Sequence, residues 1–569
     1  ESPSGNWRIA GDVEADLFEK DVMKASSGTG ILVNLPTETV KGHLLTKLNH
    51  GDIDLELEVM MAAHSNSGIY LQGRYEVQLL DSWGRKIPAF SDIGGIYHGI
   101  TKEGQKVEGH APSINAALAP GLWQKLKISF QAPRFDARNN KVQNAKIISM
   151  ALNGYTIMQN VELTGPSGSP VSKDEAPFGP LKLQGDHGPV AFRNIKYTLY
   201  DQQGPRVGPM NYVVYQGNPE KVLAFDFEGL EKDRGQTTGI NWAMSRYRDG
   251  YGVKLSGTME VVKEDTYTFL LASEGAAMLK IDDDVVLERA VRSANNSPRS
   301  SVIWLSKGNH NIEVTYAKAD ERRESSLGVY VEGSTMRRHP LHEKHSISAP
   351  NRRDPIYLEA NGPVLLRSFV SVENEILTRV LNVGHPDKLY YSYNLENGAL
   401  IRIWKGDFLD TSPMWDSRGN GRSIPRGPVL DFYNQPDVSG LKELSAPWPG
   451  DYKELEYRSL GYDVKGDGFP VFRYLLEGAE VTDELNVTEG KYISRKIQLK
   501  EDKKSCYIRL AVADQITDRG QGIYLIGDKQ YYIKVADDNS GKPMIRKSNG
   551  RTELLAPVSM NKFEYAILW

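Results

Sequence analysis

Short runs of alternating apolar and polar residues recur along this chain between Gly, Asn, Asp and Pro, and they limit its fold more than any other feature. The clearest run, I-Y-L-Q-G-R-Y-E-V-Q-L-L-D, covers residues 69–81. Read in steps of two, it divides into an apolar set and a polar set: Ile69, Leu71, Tyr75, Val77 and Leu79 against Tyr70, Gln72, Arg74, Glu76 and Gln78. Because successive side chains of a β-strand point to opposite faces, one face can pack on a core. Helical periodicity is scarce, with Asp12 to Lys24 as the best helical segment, so the sequence predicts an all-β protein.

The polar face of this run differs from an ordinary solvated face, which is usually Lys, Glu, Thr and Ser. Gln, Arg, Glu and Tyr suit a surface that binds a polyhydroxylated ligand. A well-charged outer face is the alternative interpretation.

The length, net charge, hydropathy and cysteine content of the chain exclude several classes of protein. The 569 residues are enough for roughly three or four domains. The net charge of −4, with no basic block, argues against a nucleic-acid partner. No apolar run approaches the roughly 20 residues of a transmembrane helix. The single cysteine, Cys506, excludes internal disulfides and is predicted to be a buried apolar side chain.

The first residue is Glu rather than Met, which is typical either of a processed export signal or of a trimmed sequence. We expect an exported bacterial protein, either periplasmic or at the cell surface.

The composition and the positions of the Gly, Asn, Asp and Pro breaks predict three β domains. The predicted segments are a first domain at 1–204, a second at 208–336, a linker at 337–355 and a β-rich C-terminal domain of unknown role at 356–569. The linker contains three His residues at spacings of three, His339, His342 and His345, for which a solvated segment is favoured over a metal site.

Several segments of the first domain follow one another in a specific order and spacing: 51–59, 66–72, 75–81, 94–97, 121–128, 152–154 and 179–195. Through them the domain resembles the 3-keto-disaccharide hydrolase family, whose members are also called family-16-like glycoside hydrolases. The resemblance implies a concanavalin-like jelly roll whose concave face binds sugar. The polar side of the run at 69–80 would line that face.

The segment G-P-L-K-L-Q-G-D-H-G-P, residues 179–189, places an Asp-His pair directly after a predicted strand. An Asp beside a His can fix the tautomer of the imidazole and raise its pKa. A surface turn is the alternative interpretation, and the family resemblance favours the titratable pair.

The residues around Glu76 argue against one of the reactions by which enzymes cleave glycosides. The chain lacks the E-x-D-x-x-E strand motif of family-16 hydrolases, since Glu76 is followed two residues later by a Gln, so ordinary retaining hydrolysis is disfavoured. The resemblance implies instead a sugar with a ketone at C3, whose acidic C2 proton is removed before the C1 oxygen leaves by β-elimination. Glu76 or His187 would be the base, and Asp186 would orient His187.

Further residues would bind the substrate, and Arg74, Arg193 or a divalent cation would stabilise the enolate. The predicted substrate-binding residues are Asn66, Gln72, Arg74, Gln78, Asp81, Tyr97, Gln184 and Arg193. The sequence assigns no metal site and leaves calcium or a similar cation open as a cofactor.

The second domain resembles the carbohydrate-binding β-sandwich first described in anthrax protective antigen, through residues 267–275, 279–282, Val286 and 308–316. The family's pair of calcium-binding aspartates is replaced here by Ser273-Glu274, so we expect a spacer or a degenerate binding module. The carboxylates of Asp282 to Asp284 favour a hairpin turn over a calcium site.

In the C-terminal domain, residues 401–419 combine flat rings with acids: Trp404, Asp407, Asp410, Trp415 and Arg418. Core anchors are favoured over a sugar site.

The predicted function is that of an exported enzyme that cleaves (3-keto-)glycosides in the first domain, with carbohydrate as its partner. A non-catalytic carbohydrate-binding protein is the alternative, and an adhesive surface protein is a third option.

Overall fold

A computed structural model gives the fold of most of the chain. The described residues are 5–136, 138–200, 204–289, 298–319, 324–347, 354–372, 375–416, 421–450, 452–500, 506–537, 539, 541–558 and 562–569. They are almost entirely strands and turns, which confirms the predicted all-β class. None of the helices in these ranges is long and apolar enough to span a membrane.

The N-terminal segment contains fifteen strands: β1 (Trp7–Ala15), β2 (Met23–Asn34), β3 (Leu44–His50), β4 (Asp52–Met61), β5 (Asn66–Leu71), β6 (Tyr75–Leu80), β7 (Gly99–Ile100), β8 (Lys106–Val107), β9 (Gln124–Gln131), β10 (Arg134–Phe135), β11 (Lys141–Gln143), β12 (Ala145–Leu152), β13 (Tyr155–Leu163), β14 (Gly179–Leu183) and β15 (Val190–Tyr200). A seven-stranded sheet has the order β1-β2-β15-β4-β9-β12-β13, and a four-stranded sheet has the order β3-β14-β5-β6. The apolar set predicted at 69–79 is fully buried between these sheets, where the ring centroids of Tyr75 and Phe130 lie 5.6 Å apart.

The best candidate for a helix in the sequence, Asp12 to Lys24, is not helical. This segment is the end of β1, a connection and the start of β2, with Asp12 paired to Ser26 and Ala15 to Met23. The apolar residues that mimic a helical stripe are inward-facing strand positions such as Val13, which is fully buried. Long-range pairing therefore overrides the local pattern.

Residues 198–354 form a separate compact unit. Its elements are β16 (Arg206–Gln216), α1 (Pro219–Leu223), β17 (Glu231–Thr237), β18 (Tyr251–Val261), β19 (Asp265–Glu274), β20 (Ala276–Ile281), β21 (Asp284–Arg289), β22 (Arg299–Leu305), β23 (Gly308–Lys318), β24 (Ser326–Gly333), β25 (Met336–Pro340) and a 3₁₀ turn (Lys344–Ser346). A six-stranded sheet, β17-β16-β18-β23-β20-β21, and a four-stranded sheet, β22-β19-β24-β25, enclose one apolar core.

Two features of this unit bear on the sequence predictions. The structure differs from the predicted linker at 337–355, because residues 336–340 form β25 and pair with β24, with Met336 buried. Asp282 and Asp283 have positive φ angles between β20 and β21, and Asp282 accepts a hydrogen bond from the backbone N–H of Asn311 (2.9 Å), so this run is a hairpin turn. In the linker, His342 contacts the backbone of Val329, and His345 lies 3.2 Å from Glu343.

The C-terminal segment contains the remaining elements: β26 (Tyr357–Leu358), β27 (Val364–Val372), β28 (Glu375–Gly384), β29 (Leu389–Asn394), β30 (Ala399–Lys405), β31 (Asp407–Asp410), α2 (Pro413–Asp416), β32 (Ile424–Arg426), β33 (Val429–Asp431), β34 (Val438–Gly440), a 3₁₀ turn (Tyr452–Leu455), β35 (Arg458–Val464), β36 (Pro470–Leu476), β37 (Ala479–Thr488), β38 (Tyr492–Leu499), β39 (Cys506–Ala513), β40 (Ile516–Asp518), β41 (Ile523–Ile526), β42 (Tyr531–Val535), β43 (Met544–Ser548), β44 (Arg551–Pro557) and β45 (Lys562–Leu568). The largest sheet has eight strands in the order β35-β36-β37-β38-β45-β42-β41-β40.

The C-terminal segment and the N-terminal segment form one compact unit, 1–197 with 355–569. Lys405 donates to the carbonyl oxygens of Ala117 (2.8 Å) and Trp569 (2.7 Å). Ion pairs such as Lys529–Asp12 (2.7 Å) add to this contact. The first and last thirds of the sequence therefore share an interface that no local pattern indicated.

The aromatic residues of 401–419 have different environments. Trp404 is fully buried, as a core anchor, whereas Trp415 is 70% exposed. Arg418 lies outside the described residues. Cys506 is buried, as predicted.

Candidate active site

The run at 69–80 is a hairpin rather than one strand. β5 and β6 are joined by Gln72, Gly73 and Arg74, and Gln72 and Gly73 both have positive φ angles. Tyr70 is paired with Glu76, and Gly68 with Gln78. Because paired residues point to the same face of a sheet, Tyr70, Glu76 and Gln78 lie together on the side facing away from the core.

Neighbouring strands extend this face on both sides. On one side, Lys182 of β14 is paired with Tyr70. On the other side, residues 94–97 continue the sheet, with the Tyr97 N–H donating to the carbonyl oxygen of Glu76 (3.1 Å). The register therefore aligns Lys182, Tyr70, Glu76 and Tyr97 in one row. We call the face formed by Glu76, Gln78, Tyr97, Lys182, Gln184, Asp186 and His187 the polar recess.

Glu76 is a buried carboxyl at the centre of the polar recess, with 3% of its surface exposed. Burial raises its pKa to about 7, although the hydroxyl of Tyr70 and the charge of Lys182 act in the opposite direction. The negative charge of Asp186 adds to the rise. A carboxyl of this kind exchanges protons near neutral pH.

Lys182 is a buried ammonium group that the sequence analysis did not propose as a functional residue. Its Nζ donates to the carbonyl oxygen of Ser169 (2.8 Å) and lies 4.0 Å from the ring centroid of Tyr70. Burial lowers the pKa of Lys182, and the charges of Glu76 and Asp186 oppose that shift. The alternation of 181–184, which puts Lys182 on the same side as Gln184, is the signal that could have identified it.

Asp186 and His187 follow β14 in the Gly-flanked turn. The Nδ1 of His187 lies 2.6 Å from Oδ1 of Asp186, and the same carboxylate oxygen lies 3.8 Å from Nδ1 of His43. Burial alone would raise the pKa of Asp186, but the hydrogen bond and the charges of the two imidazoles outweigh it and lower that pKa. An ionised Asp186 bonded to Nδ1 leaves Nε2 of His187 available, and this side chain is 53% exposed.

His43 was missed by the sequence analysis because it lies just before β3, far from Asp186 in sequence. Burial lowers its pKa, the nearby charge of Lys182 lowers it further, and Asp186 opposes both.

Gln78 and Gln184 supply amides to the polar recess. Gln78 donates to Oδ1 of Asn66 (3.0 Å), and the Gln184 amide lies 3.2 Å from Nδ1 of His187. The Oε1 atoms of Gln78 and Gln184 are buried and have no hydrogen-bond partner among the described residues. Buried polar atoms usually have a hydrogen-bond partner, so these two amide oxygens have unused capacity to accept a hydrogen bond.

Aromatic rings border the polar recess at Tyr97. Its ring centroid lies 5.6 Å from that of Phe90 and 4.6 Å from that of His98. Phe90, which is partly exposed, and His98 were not predicted as site residues. Flat rings beside hydrogen-bonding groups are a suitable surface for a sugar ring.

Four predicted substrate-binding residues lie elsewhere. The amide of Gln72 donates to the carbonyl oxygens of His50 (3.2 Å) and Pro177 (2.8 Å), and Arg74 Nε donates to that of Asp174 (2.7 Å). These two side chains therefore fix a loop onto the hairpin turn. The carboxylate of Asp81 accepts from the N–H groups of His64 (2.9 Å) and Trp83 (3.1 Å).

Arg193 is the clearest departure from the prediction that it reaches the cleft. It lies on β15 in the seven-stranded sheet, bonded to Glu58 (2.6 Å) and Asp528 (2.7 Å) and stacked on Trp123. The break at 185–189 carries the chain from the four-stranded sheet to the other sheet, so residues on its two sides do not share a face.

Within the ranges that the structure describes, no group of three or more His, Cys, Asp and Glu side chains is arranged to hold a metal ion. The divalent cation therefore stays an untested prediction.

Gly68 makes room for the Glu76 carboxyl, because a Cβ at this position would lie 2.4 Å from Glu76 Oε1. We expect Gly68→Ala to displace the carboxyl and to destabilise the protein by about 1–3 kcal/mol, as over-packing does. Thermal denaturation of the full chain would measure the loss. The matched control is Gly362→Ala, because nothing lies within 4 Å of a Cβ there. Equal stability of the two variants would contradict the prediction.

Comparison with known proteins agrees with this architecture. Residues 4–198 match the model of the 3-keto-alpha-glucoside-1,2-lyase-like domain. This match confirms the resemblance that the sequence analysis identified for the first domain. Residues 245–339 match the PA14 domain, the second resemblance noted in the sequence. Both domain types place the chain among carbohydrate-active proteins.

Solved structures that resemble the chain do so over limited parts of it. A protein of Parabacteroides distasonis ATCC 8503 described as a candidate glycosyl hydrolase is 23% identical, with 34% of this chain and 78% of that chain covered and a TM-score of 0.23. The epithelial adhesin 9 A domain of Candida glabrata, in complex with Galb1-3GlcNAc, is 10% identical, with 24% of this chain and 94% of that chain covered and a TM-score of 0.21. At these TM-scores the likeness adds nothing to the assignment of function. A search of the curated proteins found no match.

Proposed function

We propose that the polar recess binds a 3-keto-glycoside and cleaves its glycosidic bond by β-elimination. The observation that carries the proposal is that a carboxyl with a pKa raised to about 7, Glu76, and an imidazole bonded to a carboxylate, His187, share one face with the cation Lys182. The match of residues 4–198 to a 3-keto-glucoside lyase-like domain supports the choice of substrate. Export of the protein stays a prediction.

His187 is the base in this scheme. Asp186 holds its Nδ1, and the exposed Nε2 takes the proton from C2, which the C3 ketone makes acidic. The electron pair of the C2–H bond moves towards the carbonyl, and the enolate oxygen gains negative charge. Lys182 and the amide N–H groups of Gln184 and Gln78 supply the positive electrostatic potential for that oxygen.

Glu76 is the acid. When the C1–O bond breaks and the C1=C2 bond forms, the departing oxygen takes the proton of the Glu76 carboxyl. The proton on His187 then returns to Glu76 through solvent, so no other reactant is consumed. A carboxyl with a pKa of about 7 is about half protonated at neutral pH, which suits this role.

We expect Glu76→Gln to slow cleavage according to the leaving group. The variant should cleave methyl 3-keto-glucoside about 100-fold more slowly, but 4-nitrophenyl 3-keto-glucoside less than about tenfold more slowly, because nitrophenolate needs no acid. In the parent protein, cleavage of the methyl glycoside should decline as pH rises above about 7, since the protonated fraction of Glu76 falls. Steady-state rates across pH 5 to 9 would measure both effects.

Two outcomes would contradict this scheme. If Glu76→Gln slowed the cleavage of the methyl and the 4-nitrophenyl glycoside equally, Glu76 would not be the acid. Binding of glycosides, detected by thermal shift, without any cleavage of 3-keto-glycosides by the parent protein would favour the non-catalytic carbohydrate-binding alternative. The rings at Phe90, Tyr97 and His98 would serve either function.

A further inference from the structure

A cavity lies in the C-terminal segment, and none of its lining residues belongs to the polar recess. Its volume is about 320 Å³, within the range of sites for small molecules. Residues that line it include Phe432, Tyr433, Asp437, Arg495, Tyr531 and Tyr565. They come from the chain after β33, from β38, from the start of β42 and from β45.

The charges around this cavity are already compensated. Arg495 donates to Oδ2 of Asp437 (2.6 Å) and to both oxygens of Asp483. At the rim, Arg551 lies 2.9 Å from Asp514. The other charged lining residues also have ion-pair partners, Asp431 with Arg402, Arg509 with Glu553 and Asp528 with Arg193, so the cavity presents no unpaired charge to attract an ion. A neutral ligand fits it better than an anion or a cation.

Hydrogen-bonding capacity remains inside the cavity. Tyr531 is 5% exposed, and its hydroxyl makes no hydrogen bond to any residue that the structure describes. Asp437 uses Oδ2 for Arg495 and for the N–H of Leu400, whereas its Oδ1 accepts no bond from a described residue. A free hydroxyl and a free carboxylate oxygen together form a donor and an acceptor for a ligand hydroxyl group.

Aromatic surface adjoins these groups. The ring of Phe432 packs edge-on against Tyr531, with centroids 5.8 Å apart. Tyr433 is 40% exposed. The Arg551 guanidinium lies 5.9 Å from its ring centroid, and the Tyr433 hydroxyl accepts a hydrogen bond from Arg551 (2.6 Å). Apolar ring faces beside paired donors and acceptors are what a pyranose requires, since its C–H face is apolar and its edge is hydroxylated.

We propose that this cavity is a second carbohydrate-binding site, specific for a neutral hexopyranose. The Tyr531 hydroxyl and Asp437 Oδ1 bind adjacent sugar hydroxyls, and Tyr433 and Phe432 pack against the ring. The site involves neither Glu76 nor His187, so it is independent of cleavage in the polar recess.

Hydrogen–deuterium exchange of the full chain would locate the binding. The probes are methyl glucoside, methyl galactoside, methyl mannoside and cellobiose, each at saturating concentration. We expect at least one of them to slow amide exchange in peptides that cover 430–438 and 527–532. Protection of residues 66–80 would report the polar recess separately in the same experiment.

Tyr531→Phe removes only the unpartnered hydroxyl and should lower the affinity for the protective sugar about fivefold. Tyr433→Ala should weaken it further, through loss of the rim ring. The matched control is Tyr524→Phe, a buried tyrosine of β41 outside the cavity, which should bind the probe as the parent does.

Three results would overturn the proposal. One is no protection of these peptides by any of the four sugars. Another is protection that Tyr531→Phe and Tyr433→Ala leave unchanged. The third is stronger protection by glucuronate, added as a charged probe, than by any of the four neutral sugars, since a charged ligand would contradict the neutral class.

Discussion

His187→Asn should lower the rate of 3-keto-glucoside cleavage by about 10³-fold, with little change in stability. The imidazole is half exposed and its one close ionic partner is Asp186, so its loss removes proton transfer rather than packing. The single-turnover rate with 4-nitrophenyl 3-keto-glucoside isolates this step, because the leaving group needs no acid. Asp186→Asn should give a smaller loss, since Nε2 stays in place but Nδ1 loses its charged partner.

His64→Asn is a suitable control for this experiment. His64 is exposed, and its φ angle of 61° is one that asparagine adopts readily. This variant should keep the parent rate. A rate for His187→Asn within threefold of the parent would exclude His187 as the base, whatever the effect of Glu76→Gln.

The alternation at 69–80 predicted the correct faces although it did not predict the hairpin. In one continuous strand, Tyr70 and Glu76 would lie on the same side because an even number of positions separates them. In the observed hairpin they also lie on the same side, because the register pairs them directly. The pattern therefore identified Glu76 and Gln78 as outward-facing. It could not show that Gln72 and Arg74 lie in the turn, where their side chains bind backbone carbonyls.

The polar recess depends on strand pairings that a local pattern does not contain. Lys182 meets Tyr70 because β14 pairs with β5, although more than a hundred residues separate them in the sequence. Arg193 fails to reach the recess because the chain changes sheets after Gly188. Both facts depend on the order of strands, which the spacing of motifs along the chain does not determine.

The association of the first and last segments was equally inaccessible from sequence. Its contacts include the indole of Trp83 on the carbonyl oxygen of Trp569 (3.0 Å) and the buried ammonium of Lys405. Burial lowers the pKa of Lys405 to about 7. Such pairs join residues hundreds of positions apart and have no periodic signature.

Arg495→Met should cause the largest loss of stability in the chain. Arg495 is 1% exposed on β38 and neutralises two carboxylates, Asp483 and Asp437, which are themselves largely shielded from solvent. Methionine fills similar space but leaves two carboxylates unpaired in the interior. Breaking a buried ion pair from one side costs about 3–5 kcal/mol, much more than the pair itself contributes.

Arg473→Met gives a matched control in the same sheet, on β36. Arg473 also contacts two carboxylates, Glu480 (2.8 Å) and Asp463 (3.0 Å), but its side chain is 35% exposed, so the loss of stability should be much smaller. Denaturant unfolding of the full chain would compare the two variants. The loss for Arg495→Met should also be smaller at pH 5 than at pH 8, since the abandoned carboxylates can bind protons in the folded state. Equal losses for the two variants would mean that the buried arginine contributes no more than a surface one, and that solvent reaches the carboxylates of Asp483 and Asp437.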